Sequence, residues 1–240
     1  MHSSESTTVI IARENSFRFI GNGIYTVPDA AKLARIPQAR IRRWIRGYHF
    51  RTSGELRSSP PIVPPFYEPV EGHFAISFLD LVELRFVNAF LEHGVSWTYL
   101  RDAYQKAIDL VGRTRPFSTK RFKTDGRGIL TEIMAKGNIR SVLDVGAGQL
   151  GFWPIIAPFY RELEFDRDEV SRWWPGANRN VVIDPERSFG KPIVAREGIP
   201  TRILYKAYIA EGSLESVASW YGVRKGSVKA AVDFEVRLAA

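Results

Sequence analysis

Cysteine is missing from all 240 residues, which excludes disulfides, thiolate nucleophiles and Cys-ligated zinc. Histidine is scarce, and His2, His49, His73 and His93 are too scattered for metal-ligand spacing, so no metal site is expected. No apolar run approaches the roughly 18 residues of a membrane span. The start also lacks the cationic, apolar and small-residue order of an export signal, and a cytoplasmic protein without membrane attachment is expected. No spacing of Ser, His and Asp suggests a triad; no catalytic residue and no cofactor are expected.

What is present is the material of folded cores: 45% hydrophobic and 25% charged residues. The length suggests two or three small modules. A formal net charge of +8 suggests a polyanionic partner, but its distribution says more than its size. From Ala30 to Arg57 stand Lys32, Arg35, Arg40, Arg42, Arg43, Arg46, Arg51 and Arg57, against the single acid Glu55.

That segment has a helical pattern. Thr26 is placed to cap a helix with Pro28 in its first turn, Arg35-Ile36-Pro37 breaks it, and a second helix is expected from Gln38 to Arg46. Ile41, Trp44, Ile45 and Tyr48 fall at i, i+3, i+4 and i+7 and should face the core. Arg42, Arg43 and Arg46 then point outward, with Arg40 on the flank and Gln38 at the helix start. Short helix, tight turn and cationic second helix is the geometry that sets a recognition helix in the major groove of DNA, where Arg can fork onto guanine and Gln onto adenine. Arg51 and Arg57, flanking Ser53-Gly54, would form a wing touching the backbone. The DNA-binding candidates are therefore Gln38, Arg40, Arg42, Arg43, Arg46, Arg51 and Arg57.

The expected fold is mainly α with small β hairpins: a flexible arm over 1–22, a winged helix-turn-helix over 23–72, a helical and hairpin middle over 73–175, and a small helix-turn-helix-like domain over 181–240. Five prolines between 60 and 69 exclude helix there. Ser77 should start a strongly amphipathic helix ended by Gly94, and Ser96 to Val111 a second. Asp125-Gly126 reads as a two-residue hairpin turn, and the acids from Glu162 to Glu169 as a polar face. In the last module, strands at 181–183 and 192–194 precede a helix from Pro200, a second capped by Ser213 with Leu214, Val217, Ala218, Trp220 and Tyr221 inward, and a final helix burying Val228, Ala231, Val232 and Phe234. Nine cations against seven acids make its charge nearly balanced, so DNA contact is less expected there.

Gly23-Ile24-Tyr25-Thr26-Val27-Pro28-Asp29-Ala30-Ala31 with Arg42-Arg43-Trp44-Ile45-Arg46-Gly47-Tyr48 resembles the MerR-like winged-helix start of VapB-type antitoxins. Ser77 to Arg85 and Thr124-Asp125-Gly126 continue the likeness. Val182 to Arg187, Phe189-Gly190-Lys191-Pro192 and Gly198-Ile199-Pro200-Thr201 are similar to the small C-terminal domain of that family, so the resemblance spans roughly 23 to 235. It implies an antitoxin of a type II toxin–antitoxin module: a non-enzymatic homodimer that binds operator DNA, silences a VapC-like PIN-domain ribonuclease toxin and represses its own operon. Toxin binding or dimerisation is then the expected task of the last module. A MerR-like transcription regulator without a toxin is the alternative.

Ser141 to Gly151, with Gly146, Gly148 and Gly151, also matches the glycine loop of S-adenosylmethionine-dependent methyltransferases. That fold needs a helix after the loop and a second strand ending in an acid. Pro154 and Pro158 fall where the helix belongs, and only about 90 residues remain for further βαβ units. A methyltransferase is thus a remote alternative.

Overall fold

Side-chain caps open several of the described helices. In the computed structural model, which describes residues 20–126 and 153–239, the Thr26 hydroxyl accepts from the Asp29 amide at 3.2 Å and opens α1 (Val27–Ala34). Arg35 ends α1 in left-handed backbone at φ +57°, and the Ile36 N–H closes back on the Ala31 carbonyl. After Pro37 comes α2 (Gln38–Arg46), then a hairpin of β1 (Tyr48–Thr52) and β2 (Glu55–Ser59). Ser53 and Gly54 both take positive φ, as the tight two-residue turn of a twisted hairpin requires. The strands are in antiparallel register from Tyr48 opposite Ser59 to Thr52 opposite Glu55, with Ser53-Gly54 at the turn.

The chain divides into two compact units, one of residues 26–171 and the other of 172–239 with 20–25. At the centre of the first is α3 (Phe78–Glu92), opened by a reciprocal capping box between Ser77 and Asp80. Eleven of its fifteen residues are buried, including Asp80 and Glu83, so it is enclosed on nearly all sides. Ser96 caps α4 (Trp97–Val111), and a 3-10 turn at Pro116–Ser118 carries Phe117 into a ring cluster with Phe86, Phe90, Tyr104 and Phe122. Fully buried Asp80 takes the Arg115 Nε at 2.6 Å and the Ser77 and Phe66 amides at 3.0 Å each. Arg115 also donates to the Pro64 carbonyl, and the proline-rich segment is tied to α3 through this pair.

Residues 120–126 are helical, which corrects the hairpin turn expected at Asp125-Gly126. The Thr119 hydroxyl accepts from the Phe122 amide and supplies a helix cap that the Asp-Gly pair obscures. The glycine loop of 141–151 lies outside the described residues. Past it, α5 (Trp153–Arg161) sends the Tyr160 hydroxyl to the Phe117 carbonyl at 2.8 Å. The acidic run is a second strand pair, β3 (Leu163–Asp166) with β4 (Glu169–Trp173). Within it Leu163 and Val170 are buried while the acids alternate outward, and Glu162 just before it holds Arg85 at 2.8 Å.

In the second unit, β5 (Val181–Val182) pairs antiparallel with β6 (Ile193–Val194), and the Tyr25 hydroxyl donates to the Gly190 carbonyl at 2.8 Å. Three helices follow: α6 (Thr201–Glu211), α7 (Leu214–Tyr221) capped by Ser213, and α8 (Lys225–Ala239). Their core joins Val194, Leu204, Val217, Ala218, Val228 and Ala231. Trp220 and Tyr221, expected inward, are 63% and 40% exposed. The core-facing stripe of α7 is Leu214, Val217 and Ala218; Trp220, two positions beyond Ala218, falls on the opposite side, whereas Tyr221 keeps the period of the stripe but is the last helical residue before the Gly222 cap.

Burial pushes the Glu83 carboxyl up to about 7, against the Ser118 hydrogen bonds and the charge of Arg115 that pull it back. Its Oε1 accepts from the Ser118 amide and hydroxyl, while Oε2 has no hydrogen-bond partner among the described residues. A carboxyl raised in the folded state stabilises fully below its unfolded value of about 4.3, and that contribution is lost as pH climbs towards 7. Glu83→Gln keeps the acceptor for Ser118 and cannot ionise. Urea unfolding should therefore show the variant gaining about 2 kcal/mol on the native protein between pH 5 and pH 8; a constant difference would refute the burial argument.

Candidate nucleic-acid interface

One buried stripe orients the arginines of α2. Ile41, Trp44 and Ile45 are each no more than 3% exposed, and burying side chains of this size stabilises by about 1.5–3 kcal/mol apiece. Trp44 stacks on Trp97 of α4, ring centroids 6.1 Å apart and 18° from parallel. With that stripe fixed, Gln38, Arg40, Arg42, Arg43 and Arg46 are all exposed. Tyr48, expected in the core stripe, is half-buried instead, because Gly47 ends the helical periodicity before it.

The arginines have different attachments. Arg42 donates to the Gln38 Oε1 at 3.1 Å, one helical turn back, which joins two candidate base readers. The Arg43 guanidinium lies 3.8 Å from the Tyr48 ring centroid, and Arg46 lies 5.6 Å from that of Phe74. Such stacks, worth about 0.5–1 kcal/mol at exposed sites, orient a guanidinium and leave its edge N–H groups available. Arg40 instead turns towards α3 and donates to Asn88 at 3.0 Å, so part of its hydrogen-bonding capacity tethers α2. Among the described residues no ion pair links Arg40, Arg42, Arg43 or Arg46 to a carboxylate.

The hairpin separates its two cations. Arg57 sits opposite Phe50 and Arg51 opposite Leu56, one register step apart, so they lie on opposite faces of the ribbon. Arg57 also approaches Glu55 at 3.4 Å, an exposed pair of little energetic weight. Arg101 of α4 was absent from the sequence-derived candidates. It donates to the Pro60 carbonyl at 2.6 Å at the root of the hairpin and stacks over Trp97 at 5.4 Å. Nothing local marks it, since it stands alone in an ordinary amphipathic helix; Phe74 likewise carries no sequence signal as the platform under Arg46.

Close backbone approach fixes where the hairpin leaves the helix. Gly47 has φ +70° and ψ −175°, a region essentially restricted to glycine. A Cβ there would meet the Ser59 carbonyl oxygen and crowd Pro60 and Pro61. The Ile62 amide donates to the Trp44 carbonyl at 3.0 Å, binding the returning chain to the end of α2. No group of three or more His, Cys, Asp or Glu able to hold a metal occurs among the described residues, and no described helix is long and apolar enough to cross a membrane.

No protein-family model matches this chain. It is 25% identical over 222 residues to a Mycobacterium tuberculosis protein named "Putative antitoxin VapB45", covering 88% of this chain and 92% of that one. The crystal structure of Rv2018 from Mycobacterium tuberculosis shares the fold, with a TM-score of 0.68 at 22% identity over 87% of this chain and 96% of the other.

Gly47→Ala combines a backbone strain of about 1–3 kcal/mol with a collision against Ser59. Chemical denaturation should show a loss of at least about 2 kcal/mol, and amide exchange should quicken first in Tyr48–Ser59. Wild-type stability in the variant would show that the approach is not tight.

Proposed function

We propose that this protein is the antitoxin of a type II toxin–antitoxin module. In this reading α1, the turn at Arg35–Pro37, α2 and the hairpin are a winged helix-turn-helix that binds operator DNA in the cytoplasm. A second surface binds and neutralises a VapC-like PIN-domain ribonuclease, and the complex represses its own operon. The carrying observation is a set of exposed arginines with no carboxylate partner among the described residues, on a chain aligned over most of its length with an antitoxin-named relative. Neither task requires chemistry of this chain, so it needs no cofactor and acts by binding alone.

The division of roles follows from the attachments. Gln38 and Arg42 lie in the first half of α2, the part of a recognition helix that meets base edges, and their mutual hydrogen bond pre-sets the Arg fork. Arg46 and Arg51 supply phosphate contacts, and Arg40 chiefly holds α2 against α3. A homodimer matches the two-fold symmetry common to operator half-sites.

The test pairs the protein with DNA from upstream of its own gene and with the product of the adjacent reading frame. Co-purification with a PIN-like neighbour and loss of that neighbour's ribonuclease activity are expected; operator binding without such a partner would favour the MerR-like regulator. Replacing both Arg42 and Arg46 by Ala should weaken operator binding by at least tenfold and lower the slope of log K against log salt by roughly 0.9 for each phosphate no longer neutralised. Unchanged affinity and slope would remove α2 as the reader.

A further inference from the structure

We infer that Arg43, Tyr48 and Arg101 form a clamp for one phosphate group at the junction of α2, the hairpin and α4. The inference rests on the DNA reading above and joins to Arg43 two residues, Tyr48 and Arg101, that the sequence did not single out for binding. Three elements contribute one side chain each. Arg43 lies over the Tyr48 ring at 3.8 Å, and its guanidinium also interacts with the Tyr48 hydroxyl, as does Ser59 of β2. Arg101, 58 positions further along the chain, is anchored by the Pro60 carbonyl and lies within electrostatic reach of the same hydroxyl.

Arg43 lies over Tyr48, which stands opposite Ser59 in the hairpin, and Arg101 binds the carbonyl of the next residue, Pro60, so two like charges meet at one end of the hairpin and an anion between them would relieve their repulsion. No ion pair joins either of them to a carboxylate among the described residues. The local potential registers on the tyrosine. Burial works to raise its ionisation, yet hydrogen bonds from Ser59 and Arg43 and the charges of Arg43 and Arg101 together hold it below the ordinary value.

The donor set selects phosphate. Its oxygens point in tetrahedral directions and need donors from several sides, which two forked guanidiniums and a hydroxyl on separate elements supply. The ring stack fixes Arg43 and the Pro60 carbonyl fixes Arg101, so little side-chain freedom remains to be lost on binding. Arg43 and the hairpin are exposed while Arg101 and Tyr48 are half-buried, which leaves an entry from the α2 side. A DNA strand passing between recognition helix and hairpin would bring a backbone phosphate to this place, and a free phosphate is the other source of the same chemistry.

The full-length protein is titrated into a fluorescent mixed-sequence duplex across about 50–200 mM salt. Arg101→Ala should bind roughly tenfold more weakly, with a slope smaller by about 0.9; Arg101→Lys should keep the slope and lose part of the affinity. Tyr48→Phe, which retains the ring under Arg43, should weaken binding several-fold at unchanged slope. If all three bind like the native protein while Arg42→Ala does not, the clamp is wrong and the DNA reading stands. If the native protein binds no duplex, the DNA reading falls and inorganic phosphate decides. At constant ionic strength, a phosphate-induced rise in melting temperature that Arg101→Lys and Tyr48→Phe both lack supports the clamp with a free anion as its source, and no rise in the native protein overturns it.

Discussion

The burial of Ile41, Trp44 and Ile45 is the constraint on which the basic surface depends. A nine-residue helix with four arginines and no acid has poor grounds to form alone: its like charges crowd one another and its first turn has no side-chain cap. The apolar stripe supplies what local sequence does not, anchoring α2 through the Trp44–Trp97 stack and the Ile62–Trp44 backbone bond. Because the period is 3.6, seating that stripe commits Arg42, Arg43 and Arg46 to the outer side and leaves Arg40 on the flank, where it reaches Asn88 of α3. Gly47 then lets the chain turn so sharply that the hairpin starts at the helix end, which places Tyr48 beneath Arg43 and Ser59 against the turn.

Behind this surface, α3 holds the unit together with carboxylates as much as with rings. Asp80 binds the Ser77 amide of its own helix cap and, from elsewhere in the sequence, Arg115 and the Phe66 amide. Glu83, one turn on, holds the 3-10 turn that presents Phe117 to its ring cluster. A buried ion pair contributes little net stability compared with packed hydrocarbon. Its effect here is to specify position: the proline-rich segment has no repetitive backbone bonding of its own, and Arg115 and Asp80 fix where it runs.

Much of this was legible in the sequence where one local signal sufficed. Thr26, Ser77, Ser96 and Ser213 cap helices at the expected places, and the Val181–Val182 and Ile193–Val194 strands pair around the expected turn. Legibility failed where two signals competed. Asp125-Gly126 resembles a hairpin turn, but Thr119 had already started a helix through Phe122. Trp220 and Tyr221 look like core residues by size, yet the helical period puts Trp220 outside and Tyr221 falls at the helix end. The acids of 162–169 hid a strand pair whose inward residues, Leu163 and Val170, are few. Of the basic surface, the exposure of the α2 arginines follows from periodicity, whereas the positions of Arg101 and Phe74 depend on tertiary folding alone. The opposite facing of Arg51 and Arg57 needed the hairpin register, which their spacing around Ser53-Gly54 allows but does not announce.

Charge pairing sets the α2 arginines apart from the cations of the second unit. Around α8 of the second unit, Lys225 meets Glu215, Lys229 meets Asp233 and Arg172 meets the buried Asp184. Fields of such close pairs cancel within a few ångströms, well inside the screening length of about 10 Å at 0.1 M salt. Among the described residues the α2 arginines have no such carboxylates, so their field extends into solvent and attracts polyanions from further away. The second unit instead exposes Ile209, Trp220 and Phe189 on a nearly neutral background, and large apolar side chains of this kind stabilise a protein contact through desolvation rather than charge. Salt should therefore act unequally on the two proposed partnerships: contact with DNA weakens steeply as ionic strength rises, while a protein contact on the second unit is largely insensitive to it.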